Sequence, residues 1–356
     1  MKPVSKKPFS YKSSSNIPEL LLDLNCSLCI TTYQAGKLIL IGPRNRDQLA
    51  QYPISFRKPM GVAIQGPKMA VASENDVTVF RNSPGLSRGF PQKEGVHDAV
   101  FVPRATYYTG AIDIHDLEWG AGALWAVNTA FSCLVKIDAE FSFTPVWKPP
   151  FISKILPNDR CHLNGLAMQA GKPKFVTALG TGDTPQSWRE NIVNGGVLID
   201  VDSGENVLRD LAMPHSPRIY NNKLYALLSA TGELICVDPV KGSFDVVIKL
   251  DAFLRGMVIY NDFAFIGTST LRSKSSTFDK LELEIKAQHA GVTIVHLPSV
   301  SVVGQFTYTS SVKEIYDVQL LPGVVHPMLL SRHVDEHKQS ISFPGRAFWR
   351  RKRKKQ

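Results

Sequence analysis

The feature that most constrains the fold is a β-rich unit that recurs along nearly the whole chain. Each copy has a short apolar strand, a turn with Gly or Asn, a second apolar strand, a polar turn, and a third strand that often ends in Asp. Two clear copies read HDLEWGAGALWAVNTAFSCLVKID and HSPRIYNNKLYALLSATGELICVD. First strands begin near residues 61, 116, 165, 217, 256 and 317. This spacing, lengthened by insertions, is typical of four-stranded propeller blades.

The repeat predicts an all-β protein, a six-bladed β-propeller with small helical insertions. The sixth first strand lies near the C-terminus, and SLCITTY, KLILIGP and QLAQYPISF near the N-terminus can complete its blade. We therefore expect N- and C-terminal strands to close the ring, which protects the strand edges. The alternatives are a β-sandwich or two smaller β domains. Within one insertion, the spacing of apolar residues predicts a helix over residues 278–288.

Basic residues are concentrated at the two ends of the chain, whose formal net charge is +10. Residues 1–16 contain four lysines and no acidic residue, and residues 346–356 contain seven basic residues and no acidic residue. The intervening segment is therefore close to neutral. We expect disordered basic tails over residues 1–20 and 346–356, around a single propeller domain over residues 21–345. Nucleic acid or an anionic surface would be contacted only through these tails.

Membrane-spanning and secretory segments are not expected. No apolar run approaches the length of a membrane span, and no apolar stretch follows the N-terminal lysines as it would in a signal peptide. We therefore expect a cytoplasmic protein. The five cysteines are an odd number in a long chain, which argues against a disulfide framework. Cys26 and Cys29 form a C-x-x-C within a predicted strand, and we interpret them as core residues.

Polar side chains recur where the innermost strand of each repeat begins. In an antiparallel blade, this point lies at the same end as the turn after the second strand. We therefore expect both sets of residues at one mouth of the central channel. The innermost-strand residues are His115, Asp116, His162, Asn164, His215, Arg218, Arg255, Tyr316 and Asp317, and the turn residues are Tyr33, Gln34, Asn128 and Thr129. The insertions at 181–194 and 271–290 leave from such turns and are expected to cover this mouth.

The three histidines at equivalent repeat positions point to chemistry at this mouth. Neutral imidazoles at His115, His162 and His215 would suit a divalent metal such as Zn²⁺, Mn²⁺ or Fe²⁺. The residues expected to act in catalysis are Arg255, as a clamp for a carboxylate or phosphate, and Asp116 and Asp317, as bases or orienting groups. The residues expected to bind substrate are Asn164, Arg218, Tyr33, Gln34 and Asn128.

Two classes of function fit these residues. One is a metal-assisted lyase, hydrolase or isomerase that acts on a small anionic or carbonyl-containing substrate. The other is a non-catalytic propeller that binds a small molecule, a peptide, a glycan or a protein partner. The histidines could also exchange protons without a metal, or form a polar plug in the channel. The chain has no G-x-S-x-G, P-loop or Rossmann fingerprint, and a propeller fold supports both classes.

The segments HDLEWGAGALWAVNTAFSCLVKID, CHLNGLAM and MPHSPRIYNNKLYALLSATGEL resemble those of a bacterial family of conserved hypothetical proteins with a domain of unknown function. The resemblance runs from about residue 20 to residue 345, so the basic C-terminal tail lies outside it. It implies a propeller-like fold and a soluble bacterial protein. It assigns no role to any residue.

Overall fold

Six small β-sheets surround a central channel, as the repeat predicts. The computed structural model describes residues 7–90, 95–270, 289–332 and 334–350. Within these residues, each of the six sheets has four or five strands. The innermost strand of each sheet contacts the innermost strand of the next, and the sixth contacts the first, so the ring is closed. The prediction of an all-β, six-bladed propeller is confirmed.

The strands follow the chain blade by blade, each blade running from the channel outward. The segment before blade 1 comprises β1 (Tyr11–Ser13), helix α1 (Ile17–Asp23), β2 (Cys26–Thr32), β3 (Lys37–Pro43) and β4 (Leu49–Ser55). Blade 1 comprises β5 (Val62–Gln65), β6 (Lys68–Ala72), β7 (Asp76–Asn82), helix α2 (Pro84–Ser87) and β8 (Ala99–Tyr108). Blade 2 comprises β9 (Ile114–Gly120), β10 (Ala123–Asn128), β11 (Cys133–Ile137) and β12 (Thr144–Trp147).

Three further blades follow in the same order. Blade 3 comprises β13 (Leu163–Gln169), β14 (Lys172–Ala178), a 3₁₀ helix (Ser187–Asn191), β15 (Gly196–Asp200) and β16 (Asn206–Leu211). Blade 4 comprises β17 (Pro214–Tyr220), β18 (Lys223–Leu228), β19 (Glu233–Asp238) and β20 (Ser243–Lys249). Blade 5 comprises β21 (Phe253–Tyr260), β22 (Phe263–Ser269), β23 (Gly291–His296) and β24 (Ser301–Tyr308). The chain then continues through β25 (Asp317–Pro322), β26 (Pro327–Leu329), a 3₁₀ helix (Asp335–Gln339), β27 (Ser340–Phe343) and β28 (Arg346–Trp349).

Both ends of the chain close the ring. Blade 6 combines the C-terminal strand β25 on the inside with the N-terminal strands β2, β3 and β4. β25 pairs antiparallel with β2, from Thr31 opposite Asp317 to Cys26 opposite Pro322. In addition, β1 adds a fifth strand to blade 5 and β26 adds a fifth strand to blade 1. The chain ends therefore connect three consecutive blades, and the predicted closure is confirmed.

The boundaries predicted for the basic tails need correction. Residues 1–20 were expected to be disordered, but β1 pairs with β24 and helix α1 buries Ile17 and Leu21 completely. The apolar face of IPELLLD packs against blades 5 and 6, which the charge count did not reveal. At the other end, residues 346–349 form β28, which pairs with β27. The helix predicted over residues 278–288 lies outside the described residues.

Cys26 and Cys29 are core residues, as interpreted from the sequence. Cys26 and Cys29 both lie in β2, where residues three apart point to opposite faces of the sheet. Cys26 packs in the cluster toward blade 5 and Cys29 in the cluster toward blade 1. Their thiols therefore cannot pair. All five cysteines are free, and burial raises the pKa of Cys26 to about 12.

Neighbouring blades are also joined by hydroxyl groups at one end of the channel. A Ser or Thr at the end of a second strand donates a hydrogen bond to a carbonyl at the start of the next blade. The pairs are Thr31 with Met60, Thr129 with Leu163, Ser229 with Leu254 and Ser269 with Ile315. This end of the channel holds the candidate site.

Candidate functional site at one channel mouth

A cavity of about 310 Å³ opens at this end of the channel. Every blade contributes at least one residue to its lining, at or near the start of the innermost strand, and we take one from each blade. These residues are Met60, His115, His162, His215, Arg255 and Tyr316, from blades 1 to 6 respectively. We call this set the rim ring. The structure therefore brings together the three histidines and Arg255, whose positions the repeat indicated.

His115 is fixed by hydrogen bonds that determine its tautomer. Its Nδ1 lies 3.1 Å from the carbonyl oxygen of Asp113 and 2.8 Å from the hydroxyl of Thr129. That hydroxyl donates its proton to the carbonyl oxygen of Leu163, at 2.5 Å. Thr129 must therefore accept from His115, so we assign the proton of the neutral ring to Nδ1. The lone pair of Nε2 is left for the cavity.

His215 repeats this arrangement two blades further on. Its Nδ1 lies 3.0 Å from the carbonyl oxygen of Met213 and 2.9 Å from the hydroxyl of Ser229. The Ser229 hydroxyl donates to the carbonyl oxygen of Leu254, at 2.6 Å. The same reasoning places the proton on Nδ1 and leaves Nε2 as an acceptor. Two histidines are thus held in one tautomer by the hydroxyl groups that join the blades.

Burial and a nearby cation keep both rings neutral. Burial lowers the pKa of His115 well below the usual value, and His162 and Arg255 lower it further. Burial also lowers the pKa of His215 well below the usual value, again with a contribution from Arg255. Both rings donate hydrogen bonds to neutral acceptors. These bonds do not compensate the protonated form of either ring for its loss of hydration. Near neutral pH, His115 and His215 therefore act as hydrogen-bond acceptors or bases, and not as cations.

His162 has a different partner. Its Nδ1 lies 2.9 Å from Oδ2 of Asp159, and the indole Nε1 of Trp188 donates to the same oxygen at 3.1 Å. The Trp188 ring also packs on the imidazole, with 4.3 Å between ring centroids. The other oxygen of Asp159 is buried and has no hydrogen-bond partner among the described residues. A carboxylate-bonded imidazole is suited to give and take a proton.

Arg255 and Tyr316 form the opposite part of the lining. The guanidinium of Arg255 lies over the Tyr316 ring, 3.6 Å from its centroid. Within the described ranges, no carboxylate pairs with Arg255. Tyr316 is only 4 % exposed, and its hydroxyl has no hydrogen-bond partner in the same part of the chain. Burial raises the pKa of Tyr316, so this hydroxyl stays protonated. The Arg255 guanidinium is thus left without a carboxylate partner among the described residues.

One of the two predicted covers contributes to the cavity. The insertion at 181–194 contains a 3₁₀ helix, and its Gln186, Trp188, Arg189 and Ile192 line the cavity. The guanidinium of Arg189 stacks on the indole of Trp188, 4.3 Å from the ring centroid. The expectation that this insertion covers the mouth is confirmed. The second predicted cover falls largely on residues 271–288, outside the described residues.

Three predicted site residues lie deeper in the channel instead of in the cavity lining. Asp116 and Arg218 form an ion pair, with 2.9 Å between Oδ2 and Nη1. The Asp116 carboxylate also accepts backbone hydrogen bonds from Leu117 and Leu166, each at 3.0 Å. Arg218 further donates from Nε to the carbonyl of Met257 in blade 5. These contacts join innermost strands of different blades, so both side chains are engaged within the protein.

Asp317 has a similar position in blade 6. Its carboxylate accepts hydrogen bonds from the backbone N–H groups of Val62, at 2.9 Å, and Val318, at 2.8 Å. Burial and the nearby Asp116 carboxylate raise the pKa of Asp317. Burial likewise raises the pKa of Glu118, and both effects are opposed by Arg218. We call Asp116, Glu118, Arg218 and Asp317 the channel cluster.

The residues predicted to bind substrate are mostly outside the cavity. Tyr33 lines it, with its ring stacked near Tyr316. Gln34 is exposed and is not part of the lining. Asn128 and Asn164 are buried and use their side-chain oxygens to accept hydrogen bonds from Phe131 and Thr177 within their own blades.

The predicted metal site does not take the form of a three-ligand cluster. Among the described residues, no group of three His, Cys, Asp or Glu side chains is arranged to hold a metal ion. The His115 and His162 rings meet edge to face, with 4.8 Å between centroids, and the Nδ1 atom of each ring is engaged within the protein. A metal at this mouth stays a prediction.

The comparison with family models assigns the chain to a family. Residues 15–330 match a model described as "Domain of unknown function (DUF4915)". The chain belongs to this family. The matched range contains all six innermost strands and every residue of the rim ring. The resemblance stated from the sequence is therefore confirmed.

The comparisons with individual proteins add little. No curated protein matches the chain. Among solved structures, the chain is similar to one titled "Crystal structure of Nidogen/Laminin Complex", at 10 % identity and a TM-score of 0.49. The similarity covers 84 % of this chain and 99 % of that chain. No helix in the described part of this chain is both long enough and apolar enough to cross a membrane.

Sequence reasoning missed several residues of the cavity. Asp159 lies three residues before His162, a spacing that could have indicated a local partner for the imidazole. Trp188 and Arg189 lie in the insertion that was predicted to cover the mouth, but their roles had no signal in the repeat. Asp113 lies two residues before His115 and was also missed.

Proposed function

We propose that the cavity binds a small molecule that carries a carboxylate group, and that Arg255 is its main contact. The observation that carries this proposal is a cavity-lining guanidinium without a carboxylate partner in the described ranges. A planar guanidinium matches the two oxygens of a carboxylate, and stacking on Tyr316 fixes its orientation. A volume of about 310 Å³ suits a small molecule and is too small for a folded partner.

The other groups of the lining fit the same ligand. The Nε2 atoms of His115 and His215 are acceptors, so they suit a hydroxyl or amino group elsewhere on the ligand. Asp159 is engaged by His162 and Trp188, and therefore does not neutralise Arg255. A small hydroxy acid or amino acid has both kinds of group.

Calorimetric titration with small carboxylates tests this function. We expect acetate, malonate or lactate to bind, and their uncharged amides to bind at least about tenfold more weakly. Arg255→Gln should weaken carboxylate binding by about tenfold to a hundredfold, because a charge-assisted pair is lost. The matched control is Arg209→Gln, which removes an exposed arginine of blade 3 that does not line this cavity. Binding that is equal in wild type and Arg255→Gln would contradict the proposal.

A second candidate function is proton transfer on the bound molecule. It is favoured by the contrast between neutral His115 and the carboxylate-bonded His162, whose rings lie 4.8 Å apart. Nε2 of His115 would take the proton from the carbon next to the carboxylate. The C–H electron pair would pass into the carboxylate, whose charge Arg255 stabilises. The proton would then return to carbon in an isomerase. In a lyase, His162 would protonate the leaving group.

Hydrogen exchange into a ligand separates catalysis from binding alone. Lactate incubated with the protein in D₂O should exchange the hydrogen on the carbon next to its carboxylate group, as followed by proton NMR. His115→Gln should abolish the exchange while malonate still binds, because Arg255 remains. Exchange no faster than with heat-denatured protein would contradict catalysis and leave the binding function standing.

A further inference from the structure

A two-stranded hairpin near the C-terminus is held on the outside of blade 1. Its strands β27 and β28 pair from Ser340 opposite Trp349 to Phe343 opposite Arg346. The indole Nε1 of Trp349 donates to the carbonyl oxygen of Leu86, at 2.9 Å, and the Trp349 ring meets that of Phe90. The guanidinium of Arg104 bonds to the hydroxyl of Ser342. One face of the hairpin is thus attached to the propeller.

The opposite face of the hairpin is apolar and exposed. Ile341, Phe343 and Phe348 are 45 %, 54 % and 49 % exposed, respectively. Because side chains alternate along a strand, Ile341 and Phe343 share a face, and Phe348 lies directly opposite Ile341. The rings of Phe343 and Phe348 have centroids 5.9 Å apart, so the three side chains form one patch. A hairpin that rests on a soluble domain ordinarily turns polar residues outward.

The chain immediately after this patch is strongly basic. Arg346 lies at the start of β28, and residues 350–355 are six consecutive Arg or Lys residues. No acidic residue follows Glu336 in the sequence. Since residues 17–345 are close to neutral, positive charge is concentrated beside the apolar patch. Residues 351–356 lie outside the described residues.

We propose that this hairpin and the basic segment after it bind the surface of an anionic lipid bilayer. The two aromatic rings and Ile341 would enter the boundary between headgroups and acyl chains, and the basic residues would contact anionic headgroups. Surface binding of this kind combines buried apolar area with electrostatic attraction, and one contribution alone gives weak attachment. The proposal does not depend on the function of the cavity.

The composition of the patch favours a bilayer over a nucleic acid. The basic residues would suit either partner. Phe343 and Phe348 could stack on bases, but the aliphatic side chain of Ile341 beside them offers no stacking surface. Ile341 does partition into acyl chains, as the aromatic rings do. All three members of the patch therefore fit a lipid surface, and only two fit a nucleic acid.

Vesicle sedimentation with the full chain tests the proposal. We expect binding to phosphatidylcholine vesicles that contain about 30 % phosphatidylserine, and none to phosphatidylcholine alone. Removal of residues 350–356 should lower the binding at least about tenfold. The triple variant Ile341→Ser, Phe343→Ser, Phe348→Ser keeps every charge and should also lower it about tenfold.

A matched triple variant controls for the loss of exposed apolar surface elsewhere. Val240, Phe244 and Val246 of blade 4 are 94 %, 38 % and 48 % exposed, and their change to Ser should leave binding unchanged. Circular dichroism should show all variants folded, because the altered side chains lie outside the core. Binding that needs the basic segment but survives the hairpin triple variant would overturn the role of the hairpin. If the protein does not bind the vesicles, or binds only a single-stranded RNA probe, the proposal that its partner is a lipid surface is overturned.

Discussion

The rim ring and the channel cluster come from the same innermost strands, yet their polar atoms are used differently. In the channel cluster, both oxygens of Asp116 and of Asp317 and all three guanidinium nitrogens of Arg218 have partners within the protein. In the rim ring, Nε2 of His115 and the guanidinium of Arg255 have no hydrogen-bond or carboxylate partner among the described residues. We infer that the channel cluster holds blades together and that the rim ring meets a ligand.

The comparison shows how to separate structural from functional polar residues in such a channel. Both sets contain charged groups, both are largely buried, and both lie within a few residues of one another. Charge and burial therefore do not distinguish them. The number of polar atoms without an internal partner does, because an unpaired buried group is costly unless a ligand or water engages it.

The largest expected effect is on stability in the channel cluster. Asp116→Ala should lower the free energy of unfolding by about 3–5 kcal/mol, because it leaves the buried Arg218 charge unpaired and two backbone N–H groups unsatisfied. Urea denaturation followed by circular dichroism measures this quantity. A loss below about 1 kcal/mol would show that the channel cluster does not hold the blades together.

A smaller effect is expected in the dependence of stability on pH. Burial raises the pKa of Glu118 to about 8, so this carboxyl ionises in the unfolded chain at lower pH than in the folded protein. Stability should therefore fall as pH rises from about 4.5 toward 8. Glu118→Gln should remove about 1–2 kcal/mol of this fall, as measured by denaturation at a series of pH values. An unchanged slope would contradict the raised pKa.

The rim ring should give the opposite dependence on pH. Because burial lowers the pKa of His215, the unfolded chain takes up a proton at higher pH than the folded protein. Stability should therefore fall as pH decreases below about 6.5. His215→Gln should reduce this fall in the free energy of unfolding by about 1 kcal/mol or more, whatever the effect of the substitution at pH 8. A profile that is level between pH 7 and 5 for the Glu118→Gln protein, in which His215 is unchanged, would argue against a neutral His215.

The smallest effect on stability is expected for the residue with the largest effect on binding. Arg255 has no ion pair within the described ranges, so Arg255→Gln should change the free energy of unfolding by less than about 1 kcal/mol. Thermal and urea denaturation check this beside Asp116→Ala. A loss as large as that of Asp116→Ala would place Arg255 with the structural residues and remove the distinction between the two sets.

The ring and its closure could be predicted from the sequence because six first strands recur along the chain and the sixth has its candidate partner strands near the N-terminus. The direction of individual side chains could not, because the innermost strands are irregular where they begin. β17 shifts register between His215 and Arg218, and β21 shifts between Leu254 and Met257. Such bulges redirect side chains, so simple alternation does not tell which polar residue faces the mouth. Neighbours such as His115 and Asp116 were therefore grouped together, although only His115 lines the cavity.

The partners of the rim residues were harder to foresee for a second reason. Trp188 reaches Asp159 from an insertion that is not part of the repeating unit, so no periodicity marks it. Thr129 and Ser229 do occupy equivalent positions, fourteen residues after His115 and His215. That shared spacing was present in the sequence and, with the antiparallel pairing, could have indicated a hydroxyl partner for each ring.

The most direct test of this account is the protonation state of the rim histidines. Long-range ¹H–¹⁵N NMR spectra of histidine-labelled protein distinguish the two neutral tautomers from the imidazolium. At about pH 6, where an unperturbed histidine is mostly protonated, His115 and His215 should both be neutral, with the proton on Nδ1. Their Nε2 signals should shift when a bound carboxylate is added. An imidazolium, or a proton on Nε2, at both positions would contradict the assignment of free acceptor atoms to this cavity.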